Sequence, residues 1–572
     1  MKINQKLFFS ILILVFVCIF SFGYTYDQGV TVNGNNVEFR LWAPGKRTVA
    51  VVGDFNSWDK TKNLLKVDGN GYWTTKVNLS KGEYRYKFVI NGELFIGDPY
   101  AREVAWDEYG PNAVVKVGMP EFKWTDNNFK MAQFNDLVIY EMHIGDFTPQ
   151  GTYTSARERI SYLKELGINA VKMMPVKEFP GDISWGYNPA YYFAPEKAYG
   201  SPDELKALIN ELHRNGIGVI FDMVFNHCSH DHPFVQMYDY YSSPWFSNVS
   251  NPWGMPNFNV WSDNTKRFIK DVVNYWVREY KVDGFRYDYT KGIGYDMYNG
   301  VSFITWEARK AGEAVGKYIY QIAEHLPMDP NMVKSTQLDA QWNDIFHHQM
   351  KANLREGVYK DNFRFGDLQK TMSGIDFRKI GFNDHSQVIN YTENHDEERV
   401  IYEAMTNPHI DYHKAVRKSK LGAITLFTSA GIPMIYHGQE FGMDTARTID
   451  PNKLQWNKLS YNYPGKEVYN HFKALIKLRK NHMALRQNNI EEVWRYQNEN
   501  VLIYKRWDNY GDIIIVALNF SDYDQYVDIP MPQNGRWYEY IYNYEVNVDN
   551  NRLVKHQIPP SGGKIFCLKK TW

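Results

Sequence analysis

Four groups of polar residues interrupt a largely apolar pattern: Asp222 with Asn226 and His227, Arg286 with Asp288, Glu324 with His325, and His395 with Asp396. Each follows a short apolar run, so each stands at the end of an expected strand. Arg286 and Asp288 are two residues apart and on a strand point the same way. Asp288 lies 36 residues before Glu324, and Glu324 lies 72 before Asp396. Those intervals are one and two strand–helix units. Three carboxylates and an arginine drawn into one cavity are electrostatically unfavourable unless they have work to do. Cleavage of a glycosidic bond supplies it. One carboxylate attacks the anomeric carbon, and a second, kept protonated, gives its proton to the leaving oxygen. A third can bind hydroxyls of the distorted ring, while an arginine keeps the nucleophile ionised and aimed.

Taken singly, these residues have ordinary explanations. A strand-end Asp often caps a helix, and Asp222 is expected to do partly structural work by pairing with its neighbours. Trp253, Trp261 and Trp342 can be core residues rather than sugar platforms. His227, Cys228, His230, Asp231 and His232 lie in one loop without recognised metal-ligand spacing. The ordinary explanations do not account for four separate strand ends agreeing.

The elements that position these residues are readable from periodicity. Residues 27–118 read as strands, at Val37–Trp42, Val49–Gly53, Tyr72–Leu79 and Tyr84–Ile90, separated by Asp68-Gly69, Lys81-Gly82 and Asn91-Gly92. From Asp136 short apolar runs alternate with amphipathic helices. Leu137–Met142, Ala170–Pro175, Val219–Val224 and Gly284–Asp288 are expected strands. Ala156–Leu166, Pro202–Asn215 and Thr265–Tyr280 are expected helices. The units continue through Tyr318–Ala323, Val388–Tyr391 and Ile424–Ile435. Such repetition predicts a (β/α)8 TIM barrel over 130–484, with a short insertion at about 228–260. An open doubly wound sheet is the alternative, but no glycine-rich phosphate loop follows the first strand. Residues 485–572 return to strands. The predicted fold class is therefore multidomain α/β: the barrel, an N-terminal immunoglobulin-like β-sandwich at 27–118 and a C-terminal all-β sandwich.

Composition sets outer bounds. The chain has 572 residues, enough for two or three domains. Its 65 basic and 65 acidic side chains cancel, which gives no support to nucleic-acid binding. Aromatics make up 16%, with 17 Trp and 42 Tyr, and flat apolar rings suit the C–H faces of sugars. Lys2 and Lys6 precede an apolar run from Leu7 to Phe22, with small residues at Ser21 and Gly23. This reads as a secretory signal over 1–23, predicting a secreted or periplasmic protein with no membrane attachment after cleavage. Only Cys228 and Cys567 then remain, too few for a disulfide framework.

The residues also resemble a known family. Asp222-Met223-Val224-Phe225-Asn226-His227, Gly284-Phe285-Arg286-Tyr287-Asp288, Ala323-Glu324-His325 and Glu393-Asn394-His395-Asp396 resemble the four signatures of the α-amylase family, glycoside hydrolase family 13. Met255-Pro256-Asn257-Phe258-Asn259 is similar to a fifth, looser one. The resemblance implies Asp288 as nucleophile, Glu324 as general acid/base and Asp396 as transition-state stabiliser. It implies that Arg286 orients Asp288, that His227 and His395 bind sugar, that Tyr187 stacks on it, and that Asp222 supports the site. It also implies no cofactor for the chemistry, and makes Asn226 a candidate ligand for a structural calcium. The N-terminal module resembles the family 48 starch- and glycogen-binding module through Val51–Trp58, Tyr86-Lys87-Phe88 and Gly97-Asp98-Pro99-Tyr100. That makes Trp58 and Lys87 candidate glucan contacts. Leu94 and Phe95 stand where a second tryptophan is expected.

Tyr140-Glu141-Met142-His143-Ile144-Gly145 and Trp185-Gly186-Tyr187 resemble branching enzymes and maltooligosyl trehalose trehalohydrolases. Glu393–Arg399 is closer to secreted α-amylases. The expected activity is retaining, endo-acting hydrolysis of α-1,4-glucosidic bonds in starch, glycogen or maltooligosaccharides. A transglycosylase or branching enzyme is the first alternative, and a non-catalytic glucan-binding protein the second.

Overall fold

The computed structural model describes residues 24–571 except 248, 250, 356–366, 408, 461 and 462. The expected signal segment at 1–23 lies outside the described residues. Eight parallel strands close into a barrel in sequence order. They are β1 (Ile139–Met142), β2 (Ala170–Met173), β3 (Gly218–Met223), β4 (Gly284–Tyr287), β5 (Tyr320–Ala323), β6 (Ala340–Trp342), β7 (Val388–Asn390) and β8 (Ile432–Tyr436). Closure comes from β8 pairing with β1, Met434 opposite Ile139. Most strand residues are apolar and buried, as a sheet covered by helices requires. The exceptions matter most. Glu141 and Lys172 are register partners on β1 and β2, and Asp222 and Arg286 are partners on β3 and β4.

The structure departs from the expected elements in three places. The helix expected over Ala156–Leu166 starts earlier, because Thr152 accepts the N–H of Ser155 as an N-cap. It runs as Tyr153–Arg157 and then Ile160–Leu166. β6 was not expected at all; three residues are too short to show a period. The apolar run Ile424–Ile435 is two elements, the end of helix Tyr412–Thr428 and then β8. Burial makes both equally apolar, so the run conceals the break at Ser429-Ala430-Gly431. Gly431 packs so tightly on Asn390 that a Cβ there would sit 2.3 Å from the amide nitrogen.

N-terminal to the barrel, a four-stranded and a five-stranded antiparallel sheet span Gly29–Val117. This module docks on barrel helix Asp263–Glu279. Asp271 of that helix accepts from the Tyr24 hydroxyl at 2.6 Å, the Asp27 N–H at 2.8 Å and the Tyr100 hydroxyl at 3.1 Å. Tyr100 stacks on Phe193 with centroids 4.6 Å apart, and Trp106 donates to Glu178 at 2.5 Å. The C-terminal domain is a six-stranded sheet with a further strand pair, from Ile490 to Cys567. Arg506 joins it to the barrel by donating to the Thr428 carbonyl at 2.8 Å. Among the described residues, no helix is long and apolar enough to cross a membrane.

Candidate active site

The strands deliver side chains from six positions around the barrel into one ionic network. On β1 and β2, Lys172 pairs with Glu141 at 2.9 Å and reaches Asp222 of β3 at 2.5 Å. Arg286 of β4 pairs with Asp222 at 2.8 Å, Asp288 at 2.8 Å and Glu324, just past β5, at 2.9 Å. His395, beyond β7, approaches Glu141 at 2.9 Å and Asp396 at 3.2 Å. Asp288 and Glu324 thus hold the two terminal nitrogens of one guanidinium and lie side by side. The backbone completes the pair. Tyr289 takes a left-handed conformation (φ 43°), unusual for a bulky residue. Its N–H there donates to Glu324 Oε2 at 2.9 Å.

Charge balance differs from residue to residue. Burial opposes ionisation of Asp222, but Arg286 and Lys172 outweigh it and hold the carboxyl low. Burial likewise opposes ionisation of Glu141, and Lys172 and His395 hold it well below the usual range. For Asp288, burial pushes the carboxyl up, Arg286 pulls it down, and Glu324, Asp222 and Asp396 push it up again, leaving it raised. Asp288 therefore holds a proton more readily than an ordinary aspartate does. Arg286 is held charged: burial alone would lower it, and the surrounding carboxylates raise it well above its ordinary value.

Above the network opens a cleft of about 480 Å³, lined by Trp185, Tyr187, Trp253, Tyr289 and Trp342 with Asp288, Glu324 and Asp396. Every residue in the expected catalytic set reaches it. Tyr187 donates its hydroxyl to Asp222 at 2.7 Å and stacks on His395, centroids 4.9 Å apart. One face of its ring is therefore already covered by protein. His227, lowered to about 4 by burial, is neutral; its Nε2 donates to the Tyr187 carbonyl at 2.8 Å. Asp396 is the most exposed of the three carboxylates and stands 3.8 Å from Arg447.

Two aromatic residues with a plausible core role line the cleft instead. Trp342 is buried, with Arg286 4.3 Å from its ring centre. Trp253 is 55% exposed. Trp261 is exposed and lies outside the cleft. Sequence reasoning missed Lys172. The signal was present, since a lysine inside Ala170-Val171-Lys172-Met173-Met174 must find a counter-ion once the strand is buried.

The donor set around Asn226 does not fit calcium, which takes six to eight oxygens. Its side-chain oxygen faces His227 Nδ1 at 3.3 Å, and its amide nitrogen abuts Gly292. Among the described residues, no group of three or more His, Cys, Asp or Glu is placed to hold a metal ion. In the neighbouring loop, His232 caps helix Pro233–Met237 by accepting the Phe234 N–H, His230 bonds the Gly254 carbonyl, and Cys228 is buried.

Residues 121–250 and 237–464 match the alpha amylase catalytic domain. The chain belongs to the α-amylase family. Residues 21–101 match carbohydrate-binding module 48, the isoamylase N-terminal domain, and 494–563 match the alpha amylase C-terminal all-beta domain. Family membership makes the protein an enzyme acting on α-glucans. Among relatives, a malto-oligosyltrehalose trehalohydrolase of Saccharolobus solfataricus is 32% identical, over 74% of this chain and 75% of its own. A 1,4-alpha-glucan branching enzyme of Fusobacterium nucleatum is 27% identical, over 93% and 90%. In fold the chain resembles pullulanase type I from Bacillus subtilis, solved with maltose. The TM-score is 0.79 at 24% identity, covering 96% of this chain and 86% of that one.

Proposed function

We propose that the protein is a retaining, endo-acting hydrolase of α-1,4-glucosidic bonds in starch, glycogen or maltooligosaccharides, with Asp288 as nucleophile and Glu324 as acid/base. The observation that carries this is the single Arg286 guanidinium held by both carboxyls. A shared cation supports the short separation of a retaining pair, about 5–5.5 Å, over the wider gap that admits a water in inverting enzymes. Arg286 holds Asp288 Oδ1, which leaves Oδ2 to attack the anomeric carbon. Arg286 and the Tyr289 N–H hold Glu324 Oε2, so Oε1 carries the proton to the departing oxygen. The ionised Glu324 then takes a proton from water, which resolves the glycosyl-enzyme. Asp396, at the open side of the cleft, is assigned to the ring hydroxyls of the distorted sugar.

The N-terminal module contributes a second glucan contact in this reading. Trp58, Lys87, Phe95 and Tyr109 line a groove of about 660 Å³, where Phe95 supplies a second ring. The apolar leader at 1–23 makes secretion or periplasmic export part of the proposal, checked by the N-terminal mass of the mature protein.

Transglycosylation is the alternative, favoured by the branching enzyme that aligns over all three modules. Product analysis on soluble starch separates the two. Rising reducing ends with short maltooligosaccharides support hydrolysis; constant reducing ends with new α-1,6 linkages make the protein a branching enzyme.

A further inference from the structure

A second groove, about 520 Å³, lies on the outer wall of the barrel. One side is the head of helix Val301–Glu313, which follows the connection leaving Asp288. The other is the end of helix Pro330–Ser335, on the connection leaving Glu324. Both connections start at the rim where the candidate catalytic groups stand. Tyr298 is 68% exposed and Trp306 49% exposed in this groove. They belong to neither the cleft nor the N-terminal groove.

The lining is amphipathic rather than simply apolar. Around the two rings stand Glu307, Lys310 and Gln337. Lys310 lies 5.2 Å from the Trp306 ring centre and 3.6 Å from Glu307. Rings bordered by a carboxylate, an ammonium and an amide match a pyranose, whose faces are apolar and whose rim is hydroxylated. The platform is also set in advance. Asp296 accepts the N–H groups of Tyr298 and Asn299, both at 2.7 Å, and Ser302 donates to the Asp296 carbonyl. A surface ordered beforehand loses less entropy on binding. Trp261 is a further exposed ring near the head of helix Val301–Glu313. That ring lies beside Gly294, whose carbonyl accepts the N–H of Val301 at the head of the same helix.

We propose that this groove is a second, non-catalytic binding site for α-glucan chains, with Trp306 and Tyr298 as its stacking platforms. It rests on the α-glucan reading above. A long chain held here and in the cleft is bound twice, which raises the effective concentration of bonds at the site; a short oligosaccharide cannot span both.

The test is mobility in a native gel containing amylose. The starting protein is the full chain carrying Asp288→Asn, to prevent digestion, and Trp58→Ala, to weaken the N-terminal groove. Adding Tyr298→Ala and Trp306→Ala should weaken retardation about 3- to 10-fold, the loss of one or two stacking contacts. Trp306→Phe, which keeps a flat ring, should retain most of it. In the otherwise wild-type protein, Tyr298→Ala with Trp306→Ala should leave kcat on maltotetraose within about twofold. Retardation unchanged by the two alanines overturns the proposal and leaves the groove to a protein partner. Absence of any retardation in the starting protein also overturns it. Turnover of maltotetraose by wild type reports separately on the catalytic reading.

Discussion

Buried carboxylates cluster in the cleft and beneath the N-terminal module, and burial has opposite consequences for Glu141 and Asp222 in the first and Glu178 and Glu196 in the second. In the cleft, Glu141 and Asp222 are fully buried, yet both are held low: Lys172 and His395 lie within 3 Å of Glu141, and Arg286 and Lys172 within 3 Å of Asp222. Beneath the N-terminal module, Glu178 and Glu196 are equally buried but accept mainly neutral donors. Trp106 and the Lys197 N–H serve Glu178, and the Phe179 and Ala198 N–H groups serve Glu196. Burial there pushes Glu178 to about 7; burial and the neighbouring Glu178 push Glu196 to about 8. The Lys197 ammonium points away, to Asp182 at 2.6 Å. Burial alone therefore does not determine whether a carboxylate is charged. The balance of neighbouring charges does: Lys172 and Arg286 both flank Asp222, whereas Asp288, which shares Arg286 with other carboxylates, is raised.

The sharpest way to break this contrast is at the nucleophile. Asp288→Asn keeps the shape of the network and should lower kcat on starch by roughly 10⁵-fold, read by reducing-end release. A residual rate near wild type would remove Asp288 from its assigned role. Next in size is Lys172→Met, which leaves Glu141 and Asp222 short of a cation inside the barrel. Removing one partner of a buried pair should destabilise by about 3–5 kcal/mol in urea unfolding. A loss under 1 kcal/mol would mean that Arg286 and His395 suffice without it.

The two clusters should also respond to pH in opposite senses. Glu178 and Glu196 bind a proton more tightly folded than unfolded. Their contribution is complete below about pH 4.5 and is lost as pH rises through about 7 and 8. Stability should fall across that window by at most about 1.4 kcal/mol per pH unit for one extra bound proton. Glu141 and Asp222 behave inversely: their contribution is present above the ordinary carboxylate range and lost as pH falls below it. Unfolding free energy measured from pH 2 to 9 should therefore decline on both sides, on the alkaline side through Glu178 and Glu196. Glu178→Gln should flatten the alkaline decline, while the acid-side loss remains. Smaller again is Trp106→Phe, which deletes the donor to Glu178 and should cost about 1–3 kcal/mol. Smallest is chelation: dialysis against EDTA should leave activity and melting temperature unchanged. A drop restored by calcium would show that the surroundings of Asn226 had been misjudged.

Much of this protein was legible from residue order. Strand ends carrying Asp222, Arg286, Asp288, Glu324 and Asp396 were visible because chemistry on a barrel rim needs polar residues where apolar runs stop. The overlooked elements failed for local reasons. β6 has three residues, too few to show a period, and the run Ile424–Ile435 conceals a helix–strand junction because both halves are buried. Trp342 looked like core for the same reason: it is buried, but against Arg286 in the floor of the cleft.

What the sequence by itself determined was the alternation of strands and helices and the identity of the groups at the strand ends. Both depend on neighbours a few residues away. The tertiary structure alone decided which charges meet: that Lys172 of β2 stands between Glu141 and Asp222, that Arg286 takes both Asp288 and Glu324, and that Glu178 and Glu196 form no ion pair among the described residues. Coulomb energy depends on separation and on exclusion of water, and the barrel sets both by bringing strand ends tens of positions apart in sequence into one buried network.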